Sequence, residues 1–229
     1  MKKFIISLTV LSFFFSGDMF AGDGKSHISL RSGASIPVAD YGSHSLDKGC
    51  FTQTGFSLGI NGVWYFYKNI GAGIDFNFSL HPVNASALAT ETVANDPFME
   101  DLTIRSDPYN IKTFMAGIYY NFDVHERISI VPKFLFGMMY GRTPFQLYEA
   151  EYFMIGPHYY KVTESRDHNL AIMGGVMLDY NINDCLGLGL YIDYTYTKLI
   201  FGFQTSGGTE NRTRKISYID TGLKLLIRL

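Results

Sequence analysis

Eight stretches of this chain alternate apolar and other residues with a period of two, a pattern that only a β-strand with one face in an apolar medium needs. In the third, "IGAGIDFNFSLH", Ile70, Ala72, Ile74, Phe76, Phe78 and Leu80 share one face, against Gly71, Gly73, Asp75, Asn77, Ser79 and His81 on the other. In the seventh, Leu186, Leu188, Leu190, Ile192, Tyr194 and Tyr196 oppose Gly187, Gly189, Tyr191, Asp193, Thr195 and Thr197. The eight spans are His27–Pro37, Gly55–Tyr67, Ile70–His81, Tyr109–Phe122, Ile128–Arg142, His168–Asn181, Leu186–Phe203 and Lys215–Leu229. Strands of ordinary sandwiches run about five or six residues, so these are long. Alternation alone leaves two solutions open. A soluble sandwich or lipocalin-like barrel buries the apolar face, whereas a membrane barrel turns it to lipid.

Two independent patterns favour lipid. Connections alternate in length: short turns at Lys68–Asn69, Asp123–Arg127 and Ile182–Cys185, and longer links at 38–54, 82–108, 143–167 and 204–214. Short turns on one side and long loops on the other are the habit of membrane barrels. Aromatics are also sorted by strand direction. Trp64, Phe66, Tyr120, Phe122 and Tyr180 fall at one end of the apolar face, and Phe78, Tyr140, Tyr194 and Tyr196 at the other. Two such girdles suit rings that settle at the headgroup boundary. No later segment is long and apolar enough for a membrane helix, so a chain that enters a bilayer must do so as a closed sheet. The predicted fold is all-β, an eight-stranded antiparallel up-and-down transmembrane β-barrel with both termini on one side.

The first residues, "MKKFIISLTVLSFFFSGDMFAGDG", have the layout of a secretory signal peptide, two lysines followed by an apolar run from Phe4 to Phe15. Residues 1–21 are read as that leader and residues 22–229 as a single barrel domain. Losing Lys2, Lys3 and Asp18 moves the net charge from −2 to −3, which excludes a nucleic-acid partner held by phosphate neutralisation. Cys50 and Cys185 fall at opposite ends of the expected barrel, too far apart for a disulfide.

With these features the chain resembles the small outer-membrane β-barrel proteins of Gram-negative bacteria, the OmpA/OmpX-like eight-stranded group. "LRSGASIPVADYG" resembles their Gly-x-x-x-Pro openings, and "TGLKLLIRL" their closing strand, ending here on Leu229 where an aromatic is usual. The resemblance implies residence in the bacterial outer membrane, with outer-membrane lipid around the wall and the barrel-assembly machinery as a partner during insertion.

Parity then sends Arg31, Lys133, Lys224 and Arg228 inward with Asp75, Asp179, Asp193 and Asp220. Eight strands enclose only enough room for side chains, and ions there must be paired. The expectation is a structural ionic network that plugs the lumen, with Asp75 partnered by Lys133, Arg31, Lys224 or Arg228. Inward glycines, among them Gly59, Gly175 and Gly189, make the space. A narrow conducting pore is the alternative.

Chemistry is sparse. His27, His44, His81, His125, His158 and His168 are scattered, with no metal-ligand spacing, and no cofactor motif follows a strand. "SHS" at Ser43–Ser45 could seed a nucleophile, with Asp40 or Asp47 to orient His44, as in a lipid-modifying enzyme. An ordinary polar loop is the favoured reading, and the chain is not expected to be an enzyme. Binding belongs in the external loops, toward an extracellular protein or glycan. The acidic 82–108 link is expected to be simply solvated, and the aromatic stretch "FQLYEAEYFMIGPHYY" to extend the fifth and sixth strands as a hairpin with its rings packed on one another.

Overall fold

Long strands with an apolar face satisfy their backbone polar groups in an apolar surrounding only if each is paired on both sides, which requires a ring without edges. The computed structural model describes residues 26–153, 156–205 and 208–228, and in it that ring closes. The first half of the chain forms β1 (His27–Pro37), a 3-10 turn (Ala39–Tyr41), β2 (Gly55–Tyr67), β3 (Ile70–His81), α1 (Ala85–Asn95), β4 (Met99–Ser106) and β5 (Tyr109–Tyr120). It continues with β6 (Phe122–His125), β7 (Ile128–Arg142), β8 (Gln146–Tyr152), β9 (Gly156–Val162), β10 (Arg166–Asn181), β11 (Leu186–Thr205) and β12 (Gly208–Arg228). Around the ring run β1, β2, β3, β5, β7, β10, β11 and β12, each antiparallel to the next, and β12 returns to β1. The bounds of β1, β2, β3 and β7 are those the alternation predicts.

Register sets the shape. From Arg31 the cross-strand partners run through Gly59, Asn77, Thr113 and Met139 to Asn169 on β10. The other way round they run through Lys224 and Gly189 to Asp179 on the same strand. The ten-residue offset is the stagger of the barrel, and over eight strands it tilts each by about 40°.

The outer wall is apolar: Ile74, Phe134, Ile192 and Leu223 are all more than half exposed. Trp64, Phe66, Tyr120, Phe122 and Tyr180 are exposed at the rim of short turns, and Tyr140 and Tyr194 at the opposite one, with Phe78 and Tyr196 half-buried beside them. On β3 the band runs from Ile70 to Phe78, about 20 Å along the barrel axis at roughly 3.3 Å per residue. That is close to the ~25 Å apolar band of such barrels. An apolar belt on this scale needs a lipid surround rather than water.

Above the long-loop rim three expectations need correction. The 204–214 link is no loop: β11 and β12 stay paired residue for residue up to Thr205 and Gly208. The 82–108 link holds α1, capped by the Asn84 side chain accepting from the Ala87 N–H at 3.1 Å, and then β4. The 143–167 stretch does form a hairpin, β8 with β9, but it joins β4 in a separate three-stranded sheet instead of lengthening β7 and β10. There Tyr148 and Tyr160 stack at 4.6 Å, and Met99, Leu102, Ile104 and Ala150 give the sheet a small core. The leader read at 1–21, the closing Leu229 and residues 154–155 lie outside the described residues.

Candidate functional site

Alternate strands of a small barrel send side chains to a common level, and here the first, third, fifth and seventh ring strands deliver charge. Arg31 on β1 donates through one terminal nitrogen to Asp75 on β3 and through the other to Asp193 on β11. Lys133 on β7 lies 2.8 Å from Asp193 and 3.3 Å from Asp75. Two cations and two carboxylates thus form a closed quartet, fully buried, with the Arg31 guanidinium over the Tyr191 ring at 5.0 Å. Below it Lys224 holds Asp179 at 2.7 Å. Asp220 is buried and accepts from Asn77 Nδ2 at 2.8 Å, with no ion pair to a described residue. Arg228 departs from the expected network. It is only half-buried at the short-turn end, where its N–H bonds Cys185, and it pairs with no described carboxylate. Level with the Ile182–Cys185 turn, it sits at the open end of the ring, where solvent reaches its side chain.

Glycine makes room for these ions. A Cβ at Gly175 would sit 2.0 Å from Asp193 Oδ1. At Gly189 it would be 2.7 Å from Asp179 Oδ1 and 2.8 Å from Lys224 Cε.

Further buried polar groups, among them Asn61, Thr113 and Thr195, and a set of apolar side chains fill the rest of the lumen. Met115, Leu135, Met139, Met173 and Met177 are wholly buried inside it, followed outward by Ile111, Leu199, Phe201 and Ile216. Leu135 and Met139 look out of place beside Lys133 in the sequence, and this layer is their explanation. Tyr41 then closes the mouth. It descends from the 38–54 loop with its hydroxyl 3.1 Å from His81 Nδ1, while His81 Nε2 lies 2.8 Å from Ser35 Oγ. Thr52 secures the turn by donating to the Tyr41 carbonyl.

Above Tyr41 opens a cavity of about 610 Å³ to which all four long connections contribute. Leu46, Phe51, Leu88, Tyr109, Tyr148, Phe201 and Phe203 give it apolar walls; Lys161, Arg212 and Arg214 bring positive charge against Glu210. Arg212 is held by Glu210 at 2.9 Å. Arg214 donates to the Asp47 carbonyl at 2.9 Å and pairs with no described carboxylate. Burial pushes the Tyr148 phenol up to about 12, with Tyr160 adding to the rise and Arg212 opposing it. Burial likewise pushes up the Cys50 thiol at the cavity edge, against the pull of Arg214. The volume and the mix of rings with a few charges are those of a small-molecule site. The "SHS" stretch is built otherwise: His44 stacks on Phe51 at 5.5 Å, and Asp40 is engaged with Lys215 at 3.0 Å.

No protein-family model matches the chain, and no curated protein matches it either. Solved structures of similar fold include Neisserial surface protein A, at 13% identity over 90% of this chain and 98% of that one, with a TM-score of 0.46. The attachment invasion locus protein Ail of Yersinia pestis is 17% identical over 88% and 97%, with a TM-score of 0.43. A major outer membrane protein from Thermus thermophilus is 11% identical over 90% and 100%, with a TM-score of 0.47. The barrel assignment for this chain rests on its own closed ring of registers.

The cavity is what reasoning from sequence missed. Its cations have a readable signal, because Arg214 and Arg212 keep the inward parity of Lys224, Asp220 and Ile216 and pair with Leu199 and Phe201. Ending the last strand at Lys215 hid it.

Proposed function

We propose that this chain is an outer-membrane protein whose barrel is a closed, non-conducting anchor and whose external cavity and loops bind a ligand at the cell surface. The observation that carries this reading is the unbroken burial of the lumen, from Lys224 through the ionic quartet and the methionine layer to Tyr41. A water-filled path would leave inward side chains exposed along its length. Without one, the concave surface available for recognition is the outer mouth, carried on a rigid scaffold. The apolar wall and aromatic rims support membrane residence, and the leader-like start supports export. With the lumen occupied and no activated nucleophile at Ser43–Ser45, the reading is of a binding protein rather than an enzyme.

Two measurements test it. Expressed with its leader in a Gram-negative host, the protein is expected in the outer-membrane fraction, with a heat-modifiable shift on gels; recovery from the soluble periplasm without a shift refutes the location. Reconstituted in planar bilayers, it is expected to leave the membrane resistance unchanged. Reproducible single-channel steps would replace the anchor with a pore.

A further inference from the structure

On the outer face, just above the aromatic rim, the wall changes character. Lys112, Tyr140 and His168 are direct cross-strand partners on β5, β7 and β10, and the next outward row is Asn110, Arg142 and Arg166. These rows, with Gly141 and Asp167, line a shallow cavity of about 290 Å³ on the outside of the barrel. His168 stacks on Tyr140 at 5.5 Å. Glu164 takes both arginines, Arg142 at 3.2 Å and Arg166 at 2.6 Å, yet Arg166 remains well exposed and Arg142 half-buried. Asp167 is turned to the Ile200 N–H. Lys112 is exposed and pairs with no described carboxylate. Even with both acids counted, the three cations leave the patch positive.

Its position decides its occupant. The patch is continuous below with the lipid-facing residues Leu170, Phe136 and Phe114, all more than half exposed. A molecule seated here therefore has apolar wall on one side of it and solvent on the other. We infer that this face binds the phosphorylated headgroup of an outer-leaflet lipid, with Lys112, Arg142 and Arg166 on the phosphate and the acyl chains lying along the wall beneath. Arginine and lysine rows at a headgroup level contribute about as much per charge as other basic lipid-binding segments, near tenfold for two residues and up to roughly thirtyfold.

The test uses the full mature protein in phosphatidylcholine nanodiscs doped with diphosphoryl lipid A, with retained lipid counted by native mass spectrometry. Wild type is expected to retain diphosphoryl lipid A in preference to its dephosphorylated form. The double variant Lys112→Gln/Arg166→Gln should retain it about ten- to thirtyfold less. A variant losing the same charge at the opposite rim, Lys68→Gln/Arg127→Gln, should behave as wild type, and a preserved heat-modifiable shift verifies that both variants are folded. Equal retention of the dephosphorylated lipid, equal loss in both variants, or displacement by millimolar inorganic phosphate alone would each overturn the assignment.

Discussion

Replacing Arg31 with Met is expected to destabilise the barrel by about 3–5 kcal/mol, the cost of removing one partner from a buried ionic cluster. Arg31 answers both Asp75 and Asp193, so its loss leaves two carboxylates facing Lys133 alone, with no water to solvate the excess charge. The second variant, Arg31→Met/Asp75→Leu, removes one charge of each sign and leaves Lys133 with Asp193. It should be less damaging than the two single losses added together, by about 0.5–3 kcal/mol. Urea unfolding in lipid vesicles, scored by the heat-modifiable gel shift, gives both figures. A single Arg31→Met change with no effect on the midpoint would show that the quartet is not the buried cluster described here. Exposed pairs such as Arg212 with Glu210 should leave the midpoint where it is.

Ile74→Arg probes the other face and should cost about 2–4 kcal/mol, the penalty for a cation near the bilayer midplane. The position follows from register. Ile70 pairs with Tyr120 at the short-turn rim and Phe78 with Lys112 at the outer one, so Ile74 lies midway between them. The penalty falls toward the interface, and Phe78→Arg is expected to cost only about 0–1 kcal/mol. The gradient is the diagnostic quantity in the same vesicle assay. Equal costs at the two positions would contradict the membrane level assigned to β3.

The barrel was legible in the chain because its evidence is local. In a strand each Cβ points opposite to its neighbours, so parity within one span assigns faces without knowledge of any other. That is how "GIDFNFSLHP" separates Ile74 from Asp75, and how Arg31, Lys133, Asp193 and Lys224 come to the inward side. Among the described residues parity gave out where a span was cut short, at Lys215, which concealed Arg212 and Arg214, and at the short-turn end of the ring, at Arg228. The fold above the membrane was less legible. α1 is short and only weakly amphipathic, β4, β8 and β9 are brief strands, and β4 meets its partner only 40 or more residues further along the chain.

By itself, then, the sequence determined the number and direction of the ring strands, the lipid face and most of the inward set, all consequences of a two-residue repeat. Only the tertiary structure decided who meets whom. Arg31 reaches Asp75 and Asp193, 44 and 162 residues away, because ring closure at a ten-residue stagger brings alternate strands to one level, and no local pattern encodes that stagger. The same closure gathers four separate connections into one cavity over Tyr41. A cavity of that kind exists only once the ends of every strand have been placed around a common axis.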